Sequence, residues 1–573
     1  MKRLTFMPLL LVIGLVLSGC GLVPWSVTAQ VPTDSSVRQG EASGFDQQDQ
    51  FIRVIPQGPR SGMTAVQVVQ GFLDASAAAE DDHGIAREYL TAQAAARWTP
   101  DSGVQVFEGT PELTLTGTTV LFSAPLVGKI SEKGSYATTQ GVSTLSAKFS
   151  LVRREGQWRI EQLPQGLQLS IADMQRAYRS LSVFYFNPQM NTLVPDSRMI
   201  AVPGFGLATG LMEALLSGPS EWLAPAVRNA FALGVGLNFR NVPVENGVAR
   251  VDLTADAGSA TDETRRQMAQ QIVWTMRQVP EVRAVAITAG GQNLTISSTP
   301  YPIPRDQWPQ IDPSGLAPGA TAVVASWSGV QQLTRLSSAR ITGNPKGANS
   351  ALVQVESNRT GGMLAAIDVL GRVWSTTVDS SPVWSQLPIT RAVQWLDFDP
   401  SGGLWIWNEA SGLAVWDAPG PLKSIPVQGL PAGSTLLKAV PSRDGSRAAL
   451  IVRSESNTGL YLARIVQNVE TNARTISAPM RLARSVSGLV DVDWSGANSL
   501  AFIGRSGAGV LQVFDLDLAL GTLVAQGGPD SPDSIASAPG LPVLVSAKNG
   551  LIYQLDAGSW TSRLNAWSPS YPS

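Results

Sequence analysis

One thiol, that of Cys20, occupies the position in this sequence where chemistry is most clearly predicted. Cys20 is the only cysteine among 573 residues, and two small residues, Ser18 and Gly19, come directly before it. Upstream, two basic residues precede an apolar run that ends at Leu17 and is too short to span a bilayer comfortably. These features are typical of an export signal. We therefore predict a signal peptide over residues 1–19, cleaved between Gly19 and Cys20.

The tetrapeptide Leu17-Ser18-Gly19-Cys20 resembles the bacterial lipobox. The resemblance implies that Cys20, once cleaved free, carries S-diacylglycerol and then an N-linked acyl chain. Stable anchoring takes at least two chains, because each buried methylene contributes only ~0.8 kcal/mol. The alternatives are a plain transmembrane helix and a secretory signal with an unmodified cysteine. Since no other stretch has the length and apolarity of a membrane span, we expect a lipid-anchored protein at the extracytoplasmic face of the cell membrane.

Histidine chemistry is almost excluded, because His83 is the only histidine in the chain. A Ser-His-Asp triad or a multi-histidine zinc site would have to use this one residue. His83 lies in the polar stretch Glu80–Gly84 between two predicted helices, where we expect a solvated turn residue. The sequence therefore predicts no catalytic residues and no metal site.

A glycine-rich stretch at residues 204–210 mimics a dinucleotide-binding loop, since it follows a short predicted strand, Met199–Val202, and opens a helix. Its glycines are Gly204, Gly206 and Gly210, so the third comes one residue too late for a loop whose amides cradle a pyrophosphate. The next element is another helix rather than the strand of a βαβ unit. We interpret the stretch as a glycine-rich helix entry and predict no bound cofactor.

Length and composition indicate a globular chain of several domains. With 573 residues the chain is too long for one core, and hydrophobic residues make up 44% of it. The net charge of −2 gives no basic field that would attract nucleic acid. With a single cysteine no intramolecular disulfide is possible, so stability must come from packing.

Residues 20–60 are rich in Gln, Ser, Gly, Asp and Pro, a composition typical of a flexible tether. From residue 61 to 180, two helical patterns near residues 66–79 and 85–98 precede a series of strands, which predicts an α+β domain. By this pattern alone the domain resembles the cone-shaped fold of the nuclear-transport-factor-2 type. Such cones can hold a ligand or an active site, and the alternative that we favour is a packed spacer.

Residues 181–298 predict a second α+β domain. Asn246-Gly247 is a strong hairpin signal between two strands. A long helix is expected from Thr261 to Pro280, and a shorter helix from Ala224 to Phe231, where Pro225 suits a first turn.

Six prolines in residues 299–318 predict a linker, because proline interrupts both helices and sheets. From residue 319 to 573 the chain is predicted to be all β, with a repeated turn, apolar strand and hairpin. Four copies of this unit, about 40–50 residues apart, begin at Phe398, Val440, Val492 and Ile535. This period is typical of a β-propeller, here of about six blades, with five or seven allowed and a pair of β-sandwiches as the alternative.

Two residue sets within the repeats could suggest chemistry. Asp399, Asp444 and Asp493 are assigned to repeat turns, where we expect each side chain to bond its own turn backbone rather than a metal. Tryptophans could stack on sugars, but four of them fall at strand positions and are predicted to pack within the blades: Trp395, Trp405, Trp407 and Trp416.

Three stretches of the second domain, residues 207–219, 247–253 and 271–280, resemble the GerMN domain of sporulation and germination proteins. Together with the lipobox and the C-terminal repeats, they make the whole chain resemble the family of actinobacterial LpqB lipoproteins. That family is associated with a two-component sensor histidine kinase, MtrB. The resemblance therefore implies contact with the extracellular part of an MtrB-like kinase, and no catalytic residues.

The expected function is that of a non-enzymatic interaction or regulatory protein, anchored through acylated Cys20, which modulates a sensor kinase and envelope homeostasis. An envelope enzyme would need paired carboxylates facing a pocket, and no isolated pair stands out in the sequence. The remaining alternative is a module that binds cell-wall glycan or peptide through the propeller face.

Overall fold

The computed structural model describes residues 56–573 apart from residues 79, 140, 142, 203–205, 335–336, 347–351, 456 and 508. The predicted signal peptide, Cys20 and the predicted tether before residue 56 lie outside the described residues, as do Gly204 and Phe205. Within the described part, no helix is both long enough and apolar enough to cross a membrane.

The helices of the first domain are α1 (Ala65–Ser76), α2 (Gly84–Arg87), α3 (Ala92–Arg97) and α4 (Ile171–Ala177). Helix α1 begins with a capping box, in which the Gln67 amide donates to Thr64 Oγ1 and the Thr64 amide donates to Gln67 Oε1 at 2.8 Å. The second predicted helix is split in two. The reason is that Leu90 forms a β-bridge to Ile160, and Thr91 then caps α3.

The strands of the first domain are β1 (Val104–Phe107), β2 (Glu112–Thr116), β3 (Thr119–Ile130), β4 (Tyr136–Thr138), β5 (Thr144–Arg154), β6 (Gln157–Gln162) and β7 (Leu167–Ser170). They form one sheet in the order β6-β5-β3-β1-β7, with β2 and β4 also paired to β3. Phe72 of α1 packs on Phe149 of the sheet within a single apolar core. The α+β prediction for this domain is confirmed.

The elements of the second domain are β8 (Tyr178–Phe186), β9 (Leu193–Ala201), α5 (Leu207–Leu216), β10 (Val244–Glu245), β11 (Val248–Leu253), α6 (Asp262–Met276), β12 (Ala284–Ala289), β13 (Gln292–Asn293) and β14 (Ile303–Pro304). Strands β8 and β9 form a long hairpin. Strands β11 and β12 are parallel and are joined through α6, as a parallel pair requires a long crossover. Asn246 and Gly247 have φ values of 54° and 82° and make the predicted turn between β10 and β11.

The predicted helix from Ala224 to Phe231 is wrong beyond its first turn. Only a 3₁₀ turn, Ala224–Ala226, forms there. The chain then leaves the helical path because Arg228 exchanges two backbone hydrogen bonds with Phe186 of β8, at 2.8 and 2.9 Å. A β-bridge to an existing strand outweighs the weak local helical preference.

The first half of the proline-rich segment 299–318 packs on the second domain. Strand β14 pairs with β12, and Trp308 and Ile311 are buried in the core that also holds α6. Proline prevents regular structure in this segment, but it does not prevent its apolar side chains from being buried.

The propeller strands are β15 (Ala322–Ser326), β16 (Gly329–Leu333), β17 (Ser338–Thr342), β18 (Leu352–Ser357), β19 (Met363–Asp368), β20 (Val373–Thr377), β21 (Ser385–Gln386), β22 (Trp395–Phe398), β23 (Leu404–Asn408), β24 (Gly412–Trp416), β25 (Leu422–Ser424), β26 (Thr435–Pro441), β27 (Arg447–Ser454), β28 (Asn457–Gln467), β29 (Arg474–Leu482), β30 (Val486–Gly496), β31 (Ser499–Ser506), β32 (Leu511–Asp517), β33 (Leu523–Gly527), β34 (Pro532–Ala536), β35 (Leu544–Ala547), β36 (Leu551–Asp556), β37 (Ser559–Asn565) and β38 (Trp567–Ser570).

These strands form six four-stranded sheets among the described residues, so the prediction of about six blades is confirmed. From the innermost strand outwards, blade 1 is β38-β15-β16-β17, and blades 2 to 6 follow in chain order from β18, β22, β26, β30 and β34. The last strand of the chain completes the first blade, and this pairing closes the ring. The innermost strands contact one another around a central axis.

The turn after β22 explains part of the repeat. The Asp399 carboxylate accepts hydrogen bonds from the amides of Ser401 and Gly403, at 2.9 and 3.0 Å, and from the indole of Trp405 at 3.1 Å. This confirms the predicted bonding of Asp399 to its own turn. Trp395, Trp405 and Trp407 are buried within the blades and Trp416 is partly buried, as predicted for packing residues.

The two ends of the propeller differ in what covers them. We call the docked face the end that carries the turns after the innermost strands, such as residues 442–446 and 497–498. The second domain lies against this end through its β8–β9 hairpin and residues 220–226. We call the opposite end, where the innermost strands begin, the open face.

Candidate binding site at the domain junction

The second domain is held on the docked face by hydrogen bonds from side chains that are themselves fixed in blades 4 and 5. Asn498 Nδ2 donates to Ser182 Oγ at 3.0 Å and to Ser197 Oγ at 2.9 Å. Arg447 Nη1 donates to the Asn498 side-chain oxygen at 2.7 Å, so the amide orientation is set from within the propeller. Arg464 Nη1 donates to the Trp222 carbonyl at 2.7 Å. These contacts fix two domains in one arrangement.

One buried guanidinium joins the first domain to the second. The Arg198 side chain is 0% exposed and donates to the Asp196 carboxylate at 2.6 Å and to the Gly218 carbonyl at 3.0 Å. It also donates to the Lys133 carbonyl in the β3–β4 connection of the first domain. The Met199 amide donates to the Gly134 carbonyl beside it, at 2.7 Å. This connection is therefore held against β9 from two sides.

A cleft of about 640 Å³ lies where the three domains meet. The first domain contributes the β3–β4 connection, the second contributes β9 and the segment around Trp222, and the propeller contributes blades 4 and 5. The residues that line the cleft are Ser102, Ser131, Glu132, Lys133, Ser135, Tyr136, Ala137, Pro195, Asp196, Ser197, Ser220, Glu221, Trp222, Leu223, Arg447, Leu462, Met480, Asn498, Leu518 and Ala519. Domain junctions are a preferred place for ligand sites, and this volume lies within their usual range.

The lining of the cleft combines apolar and polar side chains. Apolar surface from Trp222, Leu462 and Met480 alternates with hydroxyl, amide and charged groups, and Met480 is 42% exposed. The Asp196 carboxylate is already used by Arg198 and by the Ser220 amide at 2.7 Å, so it is not free to act as a base. Such a lining can hold an extended peptide segment or a small polar ligand.

A second charged site, along the propeller axis, was not expected from the sequence. Glu356, Asp397, Lys438 and Asp493, from the innermost strands of blades 2, 3, 4 and 5, line a cavity of about 20 Å³. Lys438 Nζ donates to the carboxylate of Asp491, which also accepts from the Ile535 amide at 2.9 Å. The cavity has room for about one water molecule and none for a sugar. These carboxylates therefore do not form a glycosidase site.

Arg443 closes the docked end of this axis. Its guanidinium donates to the carbonyls of Pro572, Trp494 and Ser537, at 3.3, 3.0 and 3.1 Å. The side chain thus ties the turn of blade 4 to blades 5 and 6 and to the segment after β38. Together with Lys438 it partly offsets the buried charge of Asp493.

Burial raises the pKa of the axial carboxyls. The pKa of Asp397 rises to about 7, because burial penalises its charged form and the Asp493 carboxylate repels it, while Lys438 opposes the shift. Burial and the Asp397 carboxylate likewise raise the pKa of Glu356. Burial raises the pKa of Asp493 despite Arg443. Burial by itself would lower the pKa of Lys438. The Asp491 carboxylate has the larger combined effect, so the pKa of Lys438 is raised.

We predict that Asp397→Asn flattens the pH dependence of stability. Between about pH 4 and 7 folded Asp397 keeps a proton that the unfolded chain releases, so the free energy of unfolding of the native chain falls as the pH rises. The amide keeps an oxygen for the Phe398 amide, which donates to Asp397 at 2.7 Å. The variant should be more stable than the native chain by about 1–3 kcal/mol at pH 8 and nearly equal at pH 4, in urea titrations. Asp530→Asn, at an exposed carboxyl, is the control. If the free energy of unfolding changes equally with pH in both variants, Asp397 is not the source of the pH dependence.

The structure places the other sequence-predicted residues as follows. Cys20 lies outside the described residues. His83 lies in the predicted turn, but the expectation of a solvated side chain is wrong: it is 7% exposed, packs edge-on against Trp98 at 5.8 Å, and burial lowers its pKa. Asp444 accepts from the Ser446 amide at 2.8 Å, as predicted for a turn residue. Asp493 is not a turn residue, since it lies within β30 and accepts from the Ser537 amide of the next blade at 2.7 Å.

The sequence indicated neither the cleft nor the axial carboxyls. Their residues come from strands that are far apart in the chain, and only the closed ring and the docked domains bring them together. A partial signal was available in charged residues within apolar strand patterns, such as Asp397 and Lys438. Among the described residues, no group of three or more His, Cys, Asp or Glu side chains could hold a metal ion.

Comparison with known proteins gives matches in all three domains. Residues 58–175 match the model of the lipoprotein LpqB N-terminal domain, and residues 182–295 match the model described as sporulation and spore germination. Residues 430–572 match the model of the lipoprotein LpqB beta-propeller domain. The propeller seen in the structure is larger than this last match, since its first strand begins at residue 322.

Two relatives match over nearly the whole length of both chains. The chain is 26% identical to lipoprotein LpqB of Thermobifida fusca, over 98% of this chain and 97% of the relative. It is 26% identical to lipoprotein LpqB of Mycobacterium tuberculosis, over 98% of this chain and 96% of the relative. Among solved structures, TolB from Acinetobacter baumannii is similar with a TM-score of 0.34 and 11% identity, over 44% of this chain and 66% of that one.

Proposed function

The chain belongs to the family of LpqB lipoproteins, and from that premise we propose that it is a non-enzymatic, lipid-anchored regulator of a membrane sensor histidine kinase. In this proposal acylated Cys20 holds the protein at the extracytoplasmic face of the cell membrane. The cleft at the domain junction binds a segment of the extracellular part of an MtrB-like kinase. The observation that carries the proposal is the cleft itself, which three domains build together and buried polar contacts hold open.

The chemistry of the chain supports a binding role over an enzymatic one. The single imidazole, that of His83, is buried in the first domain, away from the residues that line the cleft. The axial carboxyls enclose too little space for a cell-wall substrate. The relatives that match over their whole length are named as lipoproteins rather than as enzymes.

The proposed mechanism depends on confinement by the anchor. A lipid at Cys20 restricts the protein to the membrane surface, so that its concentration near a membrane-embedded partner is effectively high. A weak contact in the cleft is then sufficient for regulation. The fixed arrangement of the domains adds to this effect, because a pre-formed site loses little conformational freedom on binding.

The test is site-specific cross-linking in intact cells. A photo-reactive amino acid in place of Met480, in the cleft, should cross-link to the sensor kinase, whereas one in place of Val510 should not, because this 77% exposed residue lies on the open face. In a Cys20→Ala background the yield at Met480, at equal protein abundance, should fall at least tenfold as the effective concentration is lost.

Three outcomes would count against the proposal. Equal yields at Met480 and Val510 would remove the cleft as the contact. An unchanged yield in the Cys20→Ala background would remove the anchor as the cause. Recovery of cell-wall polymer rather than kinase at Met480 would favour the alternative of a glycan-binding module, for which Trp222 and Tyr136 offer stacking surfaces in the cleft.

A further inference from the structure

The open face carries an exposed apolar surface over blades 1 and 2, which we call the tryptophan patch. Its members are Trp327, Val353, Val369, Leu370 and Trp567. Trp327 is 78% exposed in the turn between β15 and β16, and its ring lies 5.1 Å from that of Trp567, edge to face. Trp567 Nε1 donates to the Leu352 carbonyl at 2.6 Å, which places its ring beside Val353.

The remaining members continue the same surface. Leu352 pairs with Asp368 across β18 and β19, so Val353 lies next to the β19–β20 turn that carries Val369 and Leu370. Val353, Val369 and Leu370 are 46%, 55% and 64% exposed. Contiguous apolar surface of this kind is uncommon on a soluble domain and indicates an interaction site. The second domain covers the docked face and leaves this surface free.

Within blades 1 and 2, the charges exposed on the open face are of one sign. From residue 319 to 395 the chain has only three acidic residues. Glu356 lines the axial cavity, Asp368 has a 0% exposed side chain paired with Arg372 at 2.7 Å, and Asp379 lies in the β20–β21 loop at the docked end. None of them lies exposed on the open face of blades 1 and 2.

Cations, in contrast, are exposed beside the patch. Lys346 follows β17 and Arg391 precedes β22, so both belong to connections on the open face, and both are exposed. Arg340 is exposed near the end of β17, and its guanidinium lies beside Gly343 on the same side. Blades 1 and 2 therefore present tryptophan and aliphatic side chains together with three exposed cations.

We propose that the tryptophan patch binds the surface of an anionic lipid bilayer. Indole rings favour the level of the lipid headgroups, and arginine and lysine side chains are attracted to anionic lipid. The charge complementarity favours an anionic surface over a neutral glycan. The proposed anchor residue, Cys20, precedes residue 56 by 36 positions, a stretch that reaches at most ~120 Å when extended, so it permits this contact.

The inference goes beyond the proposed function, because it assigns the propeller a second contact besides the acyl chain. With the open face on the bilayer, the docked face and the cleft point away from it. A partner would then be bound at a height set by the thickness of the propeller, rather than at the lipid surface.

The test uses the acylated protein reconstituted into vesicles, with one reporter on each face. Cys20 is the only native cysteine and is blocked when acylated, so Leu370→Cys and Val383→Cys each accept a single thiol-reactive nitrobenzoxadiazole label. Val383 is the matched control, because it is 75% exposed in the β20–β21 loop at the docked end. Vesicles contain either phosphatidylcholine alone or equal parts of phosphatidylcholine and phosphatidylglycerol.

The expected result is a blue-shifted emission and an at least threefold smaller iodide quenching constant for the Leu370→Cys label in the anionic vesicles only. Adding Arg340→Glu and Arg391→Glu should abolish the change, whereas Arg154→Glu, a 68% exposed site on the first domain, should leave it intact. The Val383→Cys label should respond to neither vesicle.

An unchanged Leu370→Cys label in protein that floats with the anionic vesicles would overturn the proposal. So would equal responses at both positions, or a response that appears only when a soluble acidic polypeptide is added, which would make the patch a protein-binding site. Protein that floats with neither vesicle would overturn both the anchor at Cys20 and the patch. Protein that floats with the anionic vesicles alone, with a responding Leu370→Cys label, would support the patch and count against the anchor of the proposed function.

Discussion

Replacing Arg443 with methionine is expected to destabilise the propeller by about 3–5 kcal/mol, because the change leaves several buried hydrogen-bond acceptors without their donor. The three carbonyls are those of Trp494, Ser537 and Pro572, and Asp493 also loses one of the cations that partly offset its burial. The Tm of the propeller transition should fall by roughly 10 °C. Differential scanning calorimetry of the full chain measures this shift.

The effect should depend on the buried geometry rather than on charge in general. Arg453→Met removes an exposed guanidinium from β27 and is expected to change the Tm by no more than about 1 °C. Arg443→Lys keeps the charge, but an ammonium lacks the planar set of donors with which the guanidinium binds three carbonyls at once. The Tm of this variant should therefore lie between those of the native chain and Arg443→Met. If Arg443→Met and Arg453→Met unfold at the same temperature, Arg443 does not hold the ring together.

The second large effect is expected for Arg198→Met, which removes the guanidinium that joins the first and second domains. Asp196 would remain buried with the Ser220 amide as a hydrogen-bond donor but no cation, at a cost of about 3–5 kcal/mol. The β3–β4 connection would lose its contact from Arg198 to the Lys133 carbonyl. We therefore expect a lower Tm together with faster proteolytic cleavage within residues 131–137.

Arg176→Met provides the matched control, since Arg176 forms an ion pair with Asp173 but is 46% exposed. Exposed pairs contribute only about 0–1 kcal/mol, so neither the Tm nor the cleavage rate should change much. Because residues 131–137 line the cleft, Arg198→Met should also lower the cross-linking yield at Met480. Native cleavage kinetics in Arg198→Met would show that the first domain is held by other contacts, and the proposed integrity of the cleft would have to be revised.

The two variants address different levels of the structure: Arg443→Met tests the closed ring, and Arg198→Met tests the fixed relation of the domains. The first domain, the second domain and the propeller could each fold around a separate core, and the clusters of buried apolar residues are largely separate. Besides the apolar contacts of Met199 and Trp222, polar contacts through Arg198, Asn498 and Arg447 join them. Buried polar contacts depend strongly on geometry, so they select one arrangement where apolar contact alone would allow several.

The amino-acid sequence alone determined the features that depend on local chemistry. The hairpin turn at Asn246-Gly247 was predicted because asparagine and glycine accept positive φ, which the turn requires. The number of about six blades followed from the spacing of a repeated turn, apolar strand and hairpin. The predicted lipid attachment at Cys20 likewise depends on four consecutive residues and requires no fold.

Only the tertiary structure decided which distant side chains meet. Asp397, Lys438 and Asp493 face one another because the ring closes, and a charged residue within an apolar strand pattern does not by itself show which residues it will meet. The same holds for the cleft, whose walls come from three domains, and for the tryptophan patch, which joins the first and last strands of the propeller. The physical reason is that local preferences act over a few residues, whereas burial and charge pairing act between strands that the chain brings together only on folding.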